Sequence, residues 1–349
     1  MRRYVLKRII LILITALIIL SLTFILIKLL PPGKPAGTDD QRLAFYLKQV
    51  GLGYMIDFDI EMPQYGTPLE ILKDGAGRLH YFYVRPVMEQ YFVWIKNIVT
   101  KWDWGTSTIV AVNQSCMLII AERLPVTISI NLIVSAIAVP IGFGLGIWAA
   151  LKKNKLTDHI ISTIIVLFVS IPSFIVIVFL LVLFAYKGKF VPTQWPSMQA
   201  TPKEKALGYI IPVVSLSAGT ICAYARWVRA ELTEVMASEF LLLARTKGLT
   251  RTQSIVRHAL RNSLVPIFPM LIGEIIGALS GSMVLEQLYG IPGIGTLYIK
   301  ALGDLKSNID FNLLMVDMAL VTMIGLAAGL LVDLSYGFID PRIRMGAKK

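Results

Sequence analysis

Charge is scarce in this chain. Only 16% of its 349 residues are charged and 56% are hydrophobic, whereas a soluble domain carries about 25% charged residues. Apolar runs of about 20 residues recur along it, which is the length that crosses a bilayer as a helix. The composition therefore excludes a large soluble core and predicts an all-α polytopic membrane protein.

Residues that bind metals or form disulfides are also few. The two cysteines, Cys116 and Cys222, stand far apart in the expected topology without ligand-like neighbours. Their spacing argues against a disulfide and against a metal site. The three histidines are His80, His159 and His258, and no two of them have the spacing of metal ligands. We expect no metal and no cofactor bound by this chain.

Catalytic signatures are missing as well. The chain lacks the G-x-x-x-x-G-K-[ST] pattern that cradles nucleotide phosphates. Ser280 and Ser282 lie in a predicted span, but no base lies at a matching depth to activate them. We interpret these serines as helix-packing residues and expect no catalytic residue.

Positive charge, in contrast, is in excess, with a net charge of +12. Nucleic acid could be its partner, but the excess of Lys and Arg that orients membrane proteins explains it better. The first apolar run is longer than the core of a signal peptide and favours an uncleaved span. The predicted spans are Ile9–Leu30, Val126–Ala150, Ile160–Tyr186, about Gly208–Ala225, Val265–Leu288 and Phe311–Tyr336.

The distribution of Lys and Arg predicts that both termini are cytoplasmic. Residues 1–30 would form the tail and first span, 31–123 an extracytoplasmic insertion, and 124–349 a core of five further helices. We expect a few helices in the insertion. The run Val87–Thr100 would be an amphipathic helix that packs on the protein or lies on the membrane.

The predicted spans contain small and ionisable residues. Pro140 is followed in span two by Gly142, Gly144 and Gly146, which would let neighbouring helices approach closely. Glu274 is near mid-depth, where it would face a polar path, form an interhelical hydrogen bond or stay protonated. For Glu286 and Asp317 we favour positions near the lipid headgroups, and for Asp333 a helix cap or a pair with Arg342 or Arg344.

The segment from Glu239 to Pro266 is a basic excursion between two apolar runs. It has the pattern of a helix, and the topology places it in the cytoplasm. It carries an apolar set together with Arg245, Lys247, Arg251, Arg257, His258 and Arg261. We interpret it as a docking element, and binding to anionic lipid headgroups is the alternative.

Several motifs in this segment and around it occur in a recognisable order. They are Trp104-Gly105-Thr106-Ser107, Glu122 to Thr127, Pro172-Ser173-Phe174, Ala244 to Leu249, Arg257 to Asn262, Glu286 with Ile291 to Gly295, and Asp340 to Arg344. The set resembles the permease subunits of ABC importers of the dipeptide, oligopeptide and nickel group. It is most similar to the first oligopeptide permease, and the central segment resembles the cytoplasmic "EAA" loop.

This resemblance implies the type I ABC-importer permease fold with six transmembrane helices. It implies a pore-forming subunit in the plasma membrane of a bacterium. The implied partners are a second permease, two ATPase subunits that bind ATP and Mg, an extracytoplasmic substrate-binding lipoprotein, a peptide and membrane lipid. The loop 239–262 would couple to the ATPases through Leu241, Leu242, Ala244, Arg245, Lys247, Gly248, Leu249, Arg257, His258, Ala259 and Leu260. Of these, Leu241, Leu242, Ala244, Ala259 and Leu260, together with Ile255, would be the apolar anchors.

The sequence departs from the family pattern in places, and alternative functions remain open. The loop reads Leu242-Leu243-Ala244 where the pattern has Glu-Ala-Ala, and residues 36–100 match no family segment. The expected translocation path involves Glu274, Ser280, Pro292 and Gly293. A proton-coupled secondary transporter, a membrane-anchored receptor, and nickel in place of peptide are the alternatives.

Overall fold

The computed structural model describes residues 2–30, 35, 37–303 and 309–339. Within them, four helices are long and apolar enough to cross a membrane, and two bent helix pairs raise the number to six if each pair is one span. The predicted 340–344 motif lies outside the described residues. The long helices are α1 (Arg2–Lys28), α4 (Cys116–Leu151), α8 (Ile210–Met236) and α15 (Phe311–Ile339).

Two of these helices are longer than the predicted spans. Helix α4 begins at Cys116 rather than at Val126, and it contains both Pro125 and Pro140. Helix α8 continues beyond the predicted end at Ala225 as far as Met236. The chain therefore enters the basic segment directly from the end of α8.

The third predicted span is not one continuous helix. It divides into α5 (Leu156–Ser170), α6 (Ser173–Leu180) and a π-helical turn (Leu181–Lys187), with a bend of 95°. The cause is Pro172, which has no N–H to donate and forces the residue before it out of the helical region. Ile171 accordingly has the extended angles φ −87° and ψ 119°.

The fifth predicted span, Val265–Leu288, is also broken. Its helices are α12 (Phe268–Gly277) and α13 (Met283–Tyr289), and α14 (Ile294–Leu302) follows in the chain. At 1.5 Å per residue, the ten residues of α12 extend only about 15 Å, half of a bilayer core. The break falls at Gly281, whose φ of +72° is costly for residues with a side chain.

Two compact units make up the chain, and one consists of Ile10–Arg123 and Leu297–Met323. The insertion within it is not purely helical, which corrects our expectation. It contains an antiparallel sheet in the order β1-β3-β2. The elements are α2 (Asp39–Gly51), β1 (Met55–Phe58), β2 (Glu70–Lys73), β3 (Leu79–Val84) and α3 (Val87–Lys101). Phe82 pairs with Asp57 and with Glu70 across the sheet and stacks on Tyr46 at 5.1 Å.

Helix α3 matches the predicted amphipathic run and packs on the protein. Its buried Trp94 contacts Phe24 of α1, and Met315 of α15 joins the same cluster. Nearby, buried Asp310 accepts hydrogen bonds from the backbone N–H groups of Thr108, Ile109 and Val110. These contacts join the insertion to α1 and α15 within this unit.

The other unit contains Met1–Ile9, Leu124–Thr296 and Ile324–Lys349. Helices α4 and α8 approach so closely that a Cβ at Gly142 would lie 2.8 Å from the Ile221 carbonyl oxygen. A Cβ at Gly146 would lie 2.7 Å from the Ala225 carbonyl oxygen. This arrangement agrees with the close approach predicted from the small residues of span two.

An ion pair joins α5 to α8 in the same unit. The Arg229 guanidinium donates to both carboxylate oxygens of buried Asp158, at 2.5 and 2.9 Å. The backbone N–H of Asn154 donates to the same carboxylate at 2.9 Å. Bidentate geometry with additional donors is what allows a buried ion pair to hold two elements together.

Candidate functional site

The basic segment folds as two short helical parts separated by a turn. The first is α9 (Glu239–Thr246), and the second comprises α10 (Arg251–Ser254), a π-helical turn (Ile255–Ala259) and α11 (Leu260–Ser263). Between them Gly248 has φ +91°, a conformation that favours glycine. The hydroxyl of Thr250 then caps the second part by accepting from the Gln253 N–H. Gly248 therefore forms the turn between the two helical parts.

Several predicted anchors of the segment are buried within this chain. Leu241 is 1% exposed and packs in a cluster with Ile255, Ala259, Ala150 and Leu232. Side chains enclosed in this way have no surface left for a partner. This corrects the expectation that Leu241, Ile255 and Ala259 would enter a partner's groove, because they hold the segment against α4 and α8.

Two leucines beside them point outward. Leu242 is 63% exposed and Leu243 is 57% exposed. The remaining predicted apolar positions Ala244, Leu249 and Leu260 are half-buried, and Arg245, Lys247, Arg257 and His258 are exposed. The segment therefore presents Leu242 and Leu243, together with the exposed Phe240 and Val256, within a basic surface. This is the arrangement of a helix that docks in a groove.

A second arrangement of polar groups lies beside the loop 291–295. Glu286 of α13 is 3% exposed, and its carboxylate accepts from the Thr127 hydroxyl and from the Thr296 N–H, each at 3.0 Å. The Thr127 oxygen accepts in turn from the Ile294 N–H at 3.0 Å. The carboxylate of Glu286 therefore faces the protein interior and holds the loop to α4, and its depth near the lipid headgroups stays a prediction.

Glycines make this arrangement possible. A Cβ at Gly293 would lie 2.5 Å from Glu286 Oε2 and equally close to Thr127 Oγ1. A Cβ at Gly295 would lie 2.6 Å from Met283 Cα. Side chains at these positions would displace the loop from Glu286, so the loop is bound tightly and is not a loose flap.

The four residues predicted for the translocation path do not form one cluster. Gly293 is buried and Pro292 half-buried in the loop held by Glu286, and Ser280 precedes the bend at Gly281. Glu274 is half-buried on α12. In the described part of the chain, its side chain makes no hydrogen bond and no ion pair, so the predicted interhelical hydrogen bond is not observed there.

The other two in-span carboxylates are Asp317 and Asp333. Asp317 is buried within the protein, and its position near the headgroup region stays a prediction. Asp333 forms an ion pair with Arg8 at 2.8 Å. Its predicted partners Arg342 and Arg344 lie outside the described residues.

Sequence reasoning missed two contributors to these sites: Asn131 and Leu243. The amide of Asn131 donates to the carbonyl oxygens of Thr127 and Ala278, and so joins α4 to the end of α12. A polar residue inside an apolar run was its only signal. Among the described residues no group of His, Cys, Asp and Glu could hold a metal ion.

Comparison with known proteins adds the family. Residues 142–345 match the family described as binding-protein-dependent transport system inner membrane component. The dipeptide transport system permease protein DppB of Lactococcus lactis is 30% identical, over 99% of this chain and 100% of the relative. DppB of Bacillus subtilis is 29% identical over 100% of both chains. The oligopeptide permease OppB of Haemophilus influenzae is 32% identical, over 79% of this chain and 86% of its own.

The DppB relatives are matched over nearly the whole length of this chain, insertion included, whereas OppB leaves about a fifth of it unmatched. This corrects the expectation that residues 36–100 match no family segment. The family match covers more than half of the chain and includes the basic segment, both broken spans and the loop held by Glu286. This chain therefore belongs to the family of inner-membrane components of binding-protein-dependent transport systems, as a multi-pass helical permease without an ATPase domain.

Proposed function

We propose that this chain is one of two permease subunits of an ATP-driven peptide importer in a bacterial plasma membrane. The substrate class rests on its relatives, which are named dipeptide and oligopeptide permeases. The family is defined by dependence on a binding protein. That dependence argues against a secondary transporter that acts as a lone chain and against a receptor that needs only the insertion.

The proposed topology has both termini and the segment 239–262 in the cytoplasm, with residues 31–123 outside. The excess of Lys and Arg on the proposed inner side supports it. The chain has no phosphate-binding loop, so ATP and Mg would be bound by two partner ATPase subunits. The segment would meet them on the proposed cytoplasmic side.

One observation carries the proposal: Leu242 and Leu243 stay exposed while Leu241 beside them is buried. Leu241 fixes the segment to α4 and α8, and the exposed pair is free to enter a groove on an ATPase. The surrounding arginines would meet carboxylates at the rim. Since the anchor is internal, a force applied to the segment passes directly into the transmembrane helices.

The mechanism follows from this division. Closure of the ATPases on ATP would bring the docking segments of the two permeases together and tilt the attached helices. The path past Glu274, Ser280, Pro292 and Gly293 would then open outward to receive a peptide. Because Glu286 and Thr127 hold the loop 291–295 to α4, that loop would move with α4 as one gate.

The test replaces Leu242 and Leu243 together by Asp. We expect loss of ATPase co-purification and a fall in ATP-driven peptide uptake of about thirtyfold or more, the scale of losing a buried interface anchor of about 2 kcal/mol. The change should leave the chain folded, because both side chains are exposed.

Leu156→Asp is the matched control, since Leu156 is 74% exposed and lies on the same proposed side of the membrane. It should retain assembly and uptake. If the double variant assembles and transports like the unaltered protein, the docking assignment is wrong.

A further inference from the structure

The connection between the third and fourth spans forms an ordered outer structure. The backbone N–H of Trp195 donates to the Tyr289 carbonyl oxygen at 2.8 Å, and the Tyr289 hydroxyl donates to the Pro192 carbonyl oxygen at 3.1 Å. The Trp195 ring packs edge-on against Tyr209, with centroids 4.9 Å apart. We call residues 188–201 the outer loop, and it is held rigidly at its centre.

The end of the outer loop next to α7 is fixed as well. The Thr201 hydroxyl and Glu204 form a reciprocal cap on α7 (Pro202–Gly208). Gly208 lies so close to the loop that a Cβ there would be 2.5 Å from Pro196 Cδ. A surface loop held in this way loses little conformational entropy when a partner binds, which favours docking.

The tip of the outer loop is apolar and open. Met198 is 95% exposed. Beside it lies a cavity of about 310 Å³ lined by Pro192, Pro196, Ser197, Gln199, Ala200 and Glu204. A projecting thioether next to a recess lined by both apolar and polar side chains suits the side chains of a protein partner. Methionine also adapts to partners of different shape.

The outer loop and α7 carry more positive charge than is usual on the extracytoplasmic side. Short outer loops are normally poor in Lys and Arg. Lys187, Lys189, Lys203 and Lys205 are nevertheless all exposed here. In the described residues none of them forms an ion pair, and Glu204 is occupied with Thr201. The positive charge is therefore available to an acidic partner.

We propose that the outer loop and α7 form a docking surface for the acidic face of the extracytoplasmic substrate-binding protein. This inference rests on the proposed importer function and its topology. The family's dependence on a binding protein supplies the occupant. Met198 inserts into that protein, and Lys203 and Lys205 pair with its carboxylates.

The outer loop is connected through α13 to the loop 291–295. Tyr289, which binds the outer loop, ends α13, and the same helix carries Glu286, which holds the gate loop 291–295. A protein seated on Met198 therefore presses on the helix that fixes the gate. Docking and gating share one rigid element in this arrangement.

The experiment measures binding of the purified, peptide-loaded binding protein that supports uptake to the complete transporter reconstituted in neutral and in anionic lipid. The variants are Met198→Asp and the double change Lys203→Glu with Lys205→Glu. We expect the Kd to rise about tenfold for each, with assembly with the ATPases and thermal unfolding retained. The loss caused by the charge reversal should shrink at high salt.

Matched controls are Ile60→Asp and the double change Lys73→Glu with Lys101→Glu, exposed positions on the insertion. An unchanged Kd for the outer-loop variants overturns the inference, as does an equal loss in the controls. An effect seen only in anionic lipid assigns the lysines to lipid and overturns it too. Failure of the unaltered chain to assemble with ATPases would instead refute the importer function on which the inference rests.

Discussion

At the scale of single residues, Glu286 shows what burial does to a carboxylate in this protein. It accepts from the Thr127 hydroxyl and the Thr296 N–H, in a site closed by Gly293 and Gly295. A buried acceptor left without its donor costs about 1–3 kcal/mol. The side chain therefore fixes the loop 291–295 only while every donor remains in place.

Thr127→Val tests this arrangement with almost no change of shape. The variant leaves one Glu286 oxygen and the Ile294 N–H without their partner, so we expect a loss of about 1–3 kcal/mol in the free energy of unfolding. A thermal-unfolding measurement on the purified protein would report it.

Thr127→Ser is the control, because it keeps the hydroxyl and should remain closer to the unaltered protein than the valine variant. Equal losses in the two variants would mean that the Thr127 methyl group matters and the hydrogen bonds do not.

At this scale, the sequence identified which residues matter but did not predict which residues they contact. It singled out Glu286 as an ionisable residue in a predicted span, but its partner Thr127 is 159 positions away in the chain. Likewise, the sequence marks the run from Leu241 to Leu243 as apolar. Only packing against Ala150 and Leu232 decides that Leu241 is buried and its two neighbours are exposed.

At the scale of elements, the close contact of α4 with α8 depends on which glycine faces the neighbouring helix. A Cβ at Gly146 would lie 2.7 Å from both the Ala225 oxygen and Val228 Cβ, whereas one at Gly144 would meet nothing within 4 Å. The two glycines look alike in sequence. Their environments are opposite because they lie on different faces of one helix.

Gly146→Ala and Gly144→Ala form a matched pair that tests this packing. We expect Gly146→Ala to destabilise the protein by about 1–3 kcal/mol through overpacking. Gly144→Ala should be neutral or stabilising by up to about 1 kcal/mol, because alanine is the better helix former. Unfolding temperatures of the two purified variants give the comparison, and equal shifts would show that α4 and α8 are not in close contact through Gly146.

The broken spans show where pattern reasoning on elements fails. Hydropathy alone predicts one helix through Pro172 and another through Gly281, because both breaks lie in apolar surroundings. Pro172 could have suggested its bend from its missing N–H. The end of α12 depends on the Asn131 amide, which donates to the Ala278 carbonyl oxygen from another helix. A contact of that kind has no local signal.

At the scale of the whole molecule, the predicted fold class and family were confirmed, and the fold of the insertion was not foreseen. The aromatic residues Tyr81 to Tyr83 favour a strand, and they do form part of β3. We expected helices in the insertion because we did not consider the strand preference of these aromatic residues. The domain boundaries and the cytoplasmic side of the segment 239–262 remain predictions.

The central claim is that the exposed pair Leu242 and Leu243 docks on an ATPase subunit. Its most direct test is cysteine cross-linking in an importer active in ATP-driven peptide uptake, since the native Cys116 and Cys222 are buried. Cysteine at position 242 or 243 should cross-link to an ATPase subunit, and cysteine at the exposed position 156 should not. Absence of any cross-link from 242 and 243 in the active importer would contradict the account.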